Sequence, residues 1–355
     1  MLAIYTTEDI LTAIYQDQEH RYDGWYEFIT KTRPSLNVLL KEGTDYDDND
    51  YNPVFMFHKD FDIEVEPEYA EDIEGESYLS QVSALTIDDI AKPCSVFILD
   101  VDKATAKSVS DKYGVICHSL EDTPEESPLF MECIEKNIEK SEKNRGWHEL
   151  VKDSTNPANA MVFVDRYLFS KDSGGITYQD GINNVYEVLN HVLPQNLGTD
   201  YHVLLVFDAS TLSAASGETF KSISEDVNKL VPKLKRSYNI VIETVSIDRN
   251  DMNYDETHNR RILSNYFIIR VDRSLKAFRA NNSLYSQSLF LDWVASKGVI
   301  RQKRSDVPAK ALYKYLREVR AAIAQMKKSV GSVPFSRNGI IEPITTIQNR
   351  LIQNS

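Results

Sequence analysis

The residues with the clearest chemical potential lie in one segment of the second half of the chain, which holds His258, Arg260, Asn265 and Ser274. His258 and Arg260 are two residues apart at the mouth of a predicted strand, so their side chains share a face. Ser274 follows the next strand, where the chain must turn. The segment lies within residues 256–330, which hold 16 Lys and Arg residues against five acids. This excess is typical either of the exposed face of ordinary helices or of a surface that faces phosphate groups.

The segment resembles the motif of the phospholipase D superfamily, in which His-x-Lys is followed by four residues, an Asp and a later Gly-Ser turn. His258 matches the motif histidine, Arg260 the lysine and Asn265 the aspartate. Ser274 matches the turn serine, and Arg273 stands where the family has glycine. The resemblance covers residues 160–300 and does not reach the first 150 residues. It implies that the second half of the chain is a mixed sheet flanked by helices.

The resemblance also implies a role for each matched residue. His258 would attack phosphorus and form a phosphohistidine, while Arg260 would neutralise the phosphoryl oxygens. Asn265 and Ser274 would orient these groups. A second histidine must protonate the leaving oxygen, and because the chain holds one such motif, a homodimer would have to supply it. Further residues expected to contact phosphate are Arg261, Arg273, Lys276, Asp165 and Arg166. No metal and no other cofactor is expected.

Three functions stay open at this point. The replacement of the motif lysine, aspartate and glycine favours a binding or regulatory protein that recognises a phosphodiester or other polyanion, with nucleic acid as the favoured ligand. The first alternative is an enzyme, a metal-independent homodimeric nuclease of phospholipase D type that uses His258. The second is a protein-interaction subunit without a ligand, in which His258 is structural. By analogy alone, accessory proteins of mobile elements or antiviral systems suggest the biological setting.

Other polar groups compete with this interpretation. The apolar run before Asp100 and Asp102 resembles the first motif of haloacid-dehalogenase-like phosphotransferases, in which such a pair works beside Mg²⁺. The usual Gly-Thr is missing, so we expect Asp102 to cap the next helix. Carboxylates at predicted strand ends could instead form a nuclease-type metal site, namely Asp100, Glu121, Asp122 and Asp165. We expect Cys117 and His118 to be core and edge residues, because zinc requires four suitable donors.

The elements that must position these residues follow from hydrophobic periodicity, which predicts an α/β protein with two domains, residues 1–150 and 155–330, and a peripheral tail, residues 331–355. Strands are predicted at 53–65, 95–100, 115–119, 161–169, 201–208, 239–247 and 261–271. Helices are predicted within 1–35 and at 102–113, 129–140, 182–193, 219–237 and 286–297. A basic amphipathic helix is predicted at 308–328.

Composition and charge exclude several classes of protein. No apolar run approaches the roughly 20 residues of a membrane helix, the first residues lack the basic region of a secretory signal, and three cysteines are too few for a disulfide framework. We therefore expect a cytoplasmic protein that does not insert into membranes. The net charge is −14, and residues 41–90 hold 16 acids against two lysines. This acidic segment is either a solvated loop or a surface that docks on the basic region or on a protein partner.

Overall fold

A computed structural model gives the fold of the chain. It describes residues 2–46, 51–71, 73, 78–80, 86–90, 92–123, 134–138, 146–151, 157–170, 177–212, 219–247, 260–271, 274–278, 287–293, 307–330, 334–343 and 346–355. These residues form helices around a parallel sheet of five strands and a mixed sheet of nine strands. The predicted α/β fold class is therefore confirmed.

The first sheet has the strand order β3-β2-β1-β4-β5, and all of its pairs are parallel. Its strands are β1 (Ala3–Thr7), β2 (Ser35–Lys41), β3 (Val65–Ala70), β4 (Ser95–Leu99) and β5 (Ile116–Ser119). Its helices are α1 (Glu8–Tyr15), α2 (Asp23–Thr32), α3 (Pro53–Phe61), α4 (Ile87–Ile90) and α5 (Lys103–Tyr113). Alternate residues of β4 belong to two separate apolar clusters, Val96 and Ile98 to one and Phe97 and Leu99 to the other. Both faces of this sheet are therefore buried at β4, as is usual for the inner strands of a parallel sheet.

The second sheet has the strand order β14-β13-β9-β8-β7-β10-β11-β12-β6. Its strands are β6 (Ile134–Ile138), β7 (Ala160–Val164), β8 (Tyr201–Phe207), β9 (Ile240–Ser246), β10 (Arg260–Ser264), β11 (Phe267–Val271), β12 (Gln287–Trp293), β13 (Phe335–Arg337) and β14 (Ile340–Ile341). Its helices are α6 (Trp147–Val151), α7 (Tyr178–Val192), α8 (Phe220–Asn228), α9 (Val231–Leu234), α10 (Val307–Val330) and α11 (Arg350–Gln353), with a 3₁₀ turn at Ala209–Thr211. Strands β7, β8 and β9 are parallel, whereas β10 is antiparallel to β7.

The register of the second sheet decides which residues can meet. Strands β7, β8 and β9 all end at one edge, which we call the carboxyl edge. Strand β10 begins at the same edge, because Arg261 pairs with Val164 at the end of β7. It runs antiparallel to β7 until Ser264 pairs with Met161, near the start of that strand. Arg260 therefore lies at the carboxyl edge, and the β10–β11 turn lies at the opposite edge.

The two sheets are held together through that turn. The Tyr266 hydroxyl donates to the Ser95 carbonyl at 2.6 Å and accepts from the Ile116 N–H at 2.8 Å. Gly114 ends α5 with a φ of +65°, and a Cβ there would lie 2.7 Å from the Ala158 carbonyl oxygen. Only glycine accommodates both the left-handed backbone and this close approach. The β10–β11 turn and the segment before β7 therefore join the second sheet to the first.

Several predicted elements differ from the structure. Residues 53–61 form helix α3, in which the Asn52 side chain accepts from the Val54 N–H and Pro53 occupies the first turn. Residues 287–293 form strand β12, and residues 134–138 form strand β6. These two strands pair with each other. Long-range pairing of this kind is not visible in a local hydrophobic pattern, which is ambiguous for short apolar runs. The start of the chain, predicted to be helical, forms β1 before α1.

The segment 331–355, predicted to be a peripheral tail, is part of the second sheet in its described residues. Strand β13 pairs with β9, and Phe335 is fully buried. The buried Glu243 carboxylate on β9 accepts from the Gln348 and Asn349 N–H groups at 2.8 and 2.9 Å. It also pairs with Arg337 at 3.2 Å. Among the described residues, no helix is both long and apolar enough to span a bilayer.

Candidate functional site: a buried ionic cluster at the carboxyl edge

Asp165 is the centre of the carboxyl edge, immediately after strand β7. Its side chain is fully buried. One carboxylate oxygen accepts from the Ser274 hydroxyl and from the Leu275 N–H, each at 2.8 Å. The other accepts from the Tyr167 N–H at 2.9 Å. A carboxylate removed from water needs such donors, so these contacts fix the loop after β11 against the end of β7.

Arg260 adds a positive charge to this carboxylate. Its Nε atom lies 3.7 Å from Asp165 Oδ1. Its guanidinium carbon lies 5.8 Å from the centre of the Tyr167 ring. Only 8% of the Arg260 surface is exposed. Arg260 is thus held by one buried anion and by the face of an aromatic ring, two interactions that favour a desolvated guanidinium.

A second ion pair lies beside the first. Asp208 follows β8 as Asp165 follows β7, and it is 2% exposed. It accepts from Arg166 Nε at 3.1 Å. The Arg166 guanidinium also lies 5.1 Å from the centre of the Tyr167 ring. Tyr167 therefore contacts both guanidinium groups, and the two ion pairs form one cluster.

Lys276 completes the cluster with a third cation. It is 3% exposed, and its Nζ atom donates to the Ser170 carbonyl at 2.7 Å and to the Ser170 hydroxyl at 3.2 Å. Its own N–H donates to the Ser274 hydroxyl oxygen at 3.1 Å. Among the described residues, the ionic cluster combines three cations, Arg166, Arg260 and Lys276, with two carboxylates, Asp165 and Asp208. Such an arrangement can stabilise an anion, but these side chains supply no activated nucleophile.

Two of the predicted site residues do not join the cluster. Arg261 points to the other face of the sheet, where its guanidinium carbon lies 3.4 Å from the centre of the Tyr315 ring. Its Nη1 atom lies 3.3 Å from Glu318 Oε2, which makes an ion pair. Asn265 lies in the β10–β11 turn at the opposite edge. At about 3.3 Å per residue, five residues of β10 separate Asn265 from Arg260 by roughly 16 Å.

The contacts of Asn265 are structural. Its side-chain oxygen accepts from the Asn159 and Ala160 N–H groups at 3.1 and 3.2 Å. Its carbonyl accepts from the Cys94 N–H at 2.9 Å, which ties the turn to the first sheet. Asn265 therefore cannot orient Arg260, the role that the matched aspartate position implied. His258 and Arg273 lie outside the described residues.

The competing carboxylates are divided between the two sheets. Asp102 caps α5 as predicted, since its carboxylate accepts from the Thr105 N–H at 2.9 Å. Asp100 is exposed at the end of β4, on a different sheet from Asp165. Within the ranges that the structure describes, no group of three His, Cys, Asp or Glu residues is placed to hold a metal ion.

Cys117 and His118 lie buried on β5, the edge strand of the first sheet, as predicted. Burial raises the pKa of the Cys117 thiol to about 12. His118 Nδ1 lies 3.3 Å from Asp122 Oδ2, and this hydrogen bond is the main cause that lowers the pKa of Asp122 to about 2. The Ser119 N–H and Lys103 also hold the ionised form of this carboxylate.

Sequence reasoning missed two members of the cluster, Asp208 and Ser170. For Asp208 a signal was present, because it follows an apolar strand in the same way as Asp165 and parallel strands end at one edge. For Ser170 we find no signal in the sequence.

No model of a known protein family matches this chain, and no curated protein matches it.

Proposed function

We propose that the protein binds a phosphodiester-containing polyanion, with nucleic acid as the favoured ligand, at the carboxyl edge of the second sheet, and that it does not cleave this ligand. One observation carries the proposal. Arg260 and Ser274, which the phospholipase D resemblance matches to the motif lysine and the turn serine, both contact the buried carboxylate of Asp165. Two residues that were matched from the sequence alone thus contact the same buried carboxylate.

The position of the ionic cluster also supports binding. In α/β sheets, ligands bind in the crevice outside the carboxyl ends of the strands, and Asp165 and Asp208 mark these ends. Arginine is the residue best suited to phosphate, because its planar guanidinium presents donors in a fork that matches two phosphate oxygens. The cluster holds two arginines and one lysine.

The same geometry favours binding over turnover. Arg260 is held by Asp165, so part of its charge is already balanced before any ligand arrives. Asn265, matched to the motif aspartate, lies at the far edge of the sheet and contributes nothing near Arg260. The nuclease alternative depends on His258, and it is decided by the assay below. We propose that the binding takes place in the cytoplasm. A homodimer and a protein partner for the acidic segment 41–90 stay predictions.

The test measures binding and cleavage in the same samples. Fluorescently labelled single- and double-stranded DNA and RNA are titrated with protein in EDTA, and each sample is then resolved on a denaturing gel. We expect binding without cleavage. The Arg260→Ala substitution should weaken binding on the order of tenfold to a hundredfold, the value of one charge-assisted hydrogen bond. Arg260→Lys should retain part of the affinity, because it keeps the charge but loses the fork.

Arg236→Ala is the matched control. Arg236 donates to the backbone carbonyls of Leu234 and Asn190, away from the carboxyl edge, and its removal changes the net charge equally. Equal weakening by both alanine variants would contradict the proposed site, as would wild-type protein that binds none of the four ligands. Cleavage that disappears in His258→Ala would replace our proposal with the nuclease alternative.

A further inference from the structure

Helix α10 (Val307–Val330) buries its apolar face in the protein. Leu312 and Leu316 are fully buried, Val319 is 3% exposed and Ile323 is 6% exposed. These positions recur at helical spacing and pack into the same apolar cluster as the second sheet. The apolar face is therefore used for folding, and the outer face alone can contact a partner.

The outer face of α10 is positively charged. Over residues 309–328, where burial is described, every exposed charged side chain is basic: Lys310, Lys314, Arg317, Arg320, Lys327 and Lys328. The acid of this helix, Glu318, is partly buried and turned towards Arg261 at 3.3 Å and Lys314 at 3.6 Å. In a chain of net charge −14, such a one-sided surface produces a local field of opposite sign.

A groove lies along the first turns of this face. It has a volume of about 450 Å³ and is lined by Lys310, Tyr313, Lys314, Arg317, Glu318 and Ala321. The Tyr313 hydroxyl donates to the Pro93 carbonyl at 2.8 Å, which anchors the ring in the wall of the groove. The Arg317 guanidinium carbon lies 5.8 Å from the centre of that ring. Cations and a fixed aromatic ring are thus combined in one concave site.

We propose that the outer face of α10 is a docking surface for the phosphate backbone of a nucleic acid. Cations spaced along one helix face neutralise successive phosphates, and a tyrosine ring beside them offers a platform for a base. An anionic membrane fits less well, because a helix lying in a bilayer surface needs an outward apolar face. The exposed residues between the cations of α10 are Ala321, Ala324 and Gln325, none of them large and apolar.

This surface is separate from the ionic cluster at the carboxyl edge. Arg261 points towards α10, where it contacts Tyr315 and Glu318, whereas its neighbour Arg260 contacts Asp165 on the other face of the strand. The inference therefore goes beyond the proposed phosphate site. The two surfaces can be tested by separate substitutions, and either can fail alone.

The test is the salt dependence of binding to a labelled 20-nucleotide RNA and to the matching duplex DNA. The slope of log K against log salt is negative, and each phosphate contact contributes roughly 0.7 to 0.9 to its magnitude. The triple variant Lys310→Gln, Lys314→Gln, Arg317→Gln should therefore reduce the magnitude of the slope by about 2 to 3. The control variant removes three lysines that each pair with an acid four residues away, Lys31, Lys107 and Lys221, also by substitution with Gln. It has the same net charge, so it should leave the slope near that of the wild type.

A gain-of-charge variant protects the test against simple loss of folding. Ala321→Lys with Ala324→Lys places two further cations on exposed positions of the same face, and the slope should steepen by about 1 to 2. Equal slopes for the two triple variants would overturn the inference. So would protein that sediments with vesicles containing phosphatidylserine but binds neither oligonucleotide. If the magnitude of the slope decreases in the α10 triple variant while Arg260→Ala binds normally, this inference stands and the site at the carboxyl edge is rejected.

Discussion

The Ser274 hydroxyl donates to the fully buried carboxylate of Asp165 at 2.8 Å. This bond joins residues 274–278 to the end of β7, and it brings Ser274 into contact with the anion that also holds Arg260. Removing the carboxylate would take a buried acceptor away from the Ser274 hydroxyl, the Leu275 N–H and the Arg260 guanidinium. The ionic cluster at the carboxyl edge is therefore a folding element and a candidate site at the same time.

Asp165→Asn should destabilise the protein by about 3 to 5 kcal/mol, because it removes one charge of a buried ion pair, the carboxylate that faces the Arg260 guanidinium. Urea unfolding followed by circular dichroism measures this loss. The matched control is Asp111→Asn, which breaks the exposed ion pair with Lys107 and should cost less than about 1 kcal/mol. If the two variants unfold at the same urea concentration, Asp165 does not hold the cluster as we describe.

Asn265→Ala should reduce stability without reducing polyanion binding. The substitution leaves the N–H groups of Asn159 and Ala160 buried without their acceptor, a loss of about 2 to 3 kcal/mol. Oligonucleotide affinity, measured well below the melting temperature, should equal that of the wild type. A selective loss of affinity in a folded Asn265→Ala protein would show that the residue acts at the ligand after all.

The sequence predicted the parts of this molecule that depend on local pattern. Strands β7, β8 and β9, the Asp102 cap and the membership of Asp165, Arg166 and Lys276 in one site all follow from apolar runs, helix-start signals and residue matching. Helix α3 was predictable too, since Asn52 and Pro53 form a recognisable helix start. The alternation of apolar and polar residues towards the end of that segment led instead to the prediction of a strand.

The rest depends on which strands become neighbours. The distance between Arg260 and Asn265 follows from the length of β10, because an extended segment of five residues crosses most of a sheet. A motif match compares positions along the chain and does not contain this distance. Asp208 joins Asp165 because β8 pairs with β7, and β13 joins β9 through contacts between distant parts of the chain. Tertiary pairing of this kind has no signature within one window of sequence.

Asp122 should contribute to stability in a manner that depends on pH. Its pKa is about 2 in the folded protein, mainly because His118 donates to it, against 3.8 in the unfolded chain. A lowered pKa means that the contribution is fully present above about pH 4 and is lost as pH falls towards 2. Asp122→Asn should therefore cost about 1 kcal/mol at pH 7, since partial exposure to water screens the charge. Urea midpoints from pH 7 to pH 2.5 should show the difference from wild type shrinking, and a constant difference would contradict this assignment.

Cys117 should be unreactive in the folded protein although it lines a cleft between α5, β5 and the segments that contain Pro157 and residues 194–196. Burial raises its pKa from 9.0 to about 12, so its thiolate fraction at pH 8 is lower by roughly a factor of 1000. We expect iodoacetamide to modify Cys117 slowly at pH 8 and rapidly once urea unfolds the chain. A Cys133→Ser background removes the cysteine that lies outside the described residues, and Cys94, which is also buried, serves as the internal reference. Mass spectrometry of the tryptic peptides separates the two sites, and rapid native labelling of Cys117 alone would show that the cleft admits water to the thiol.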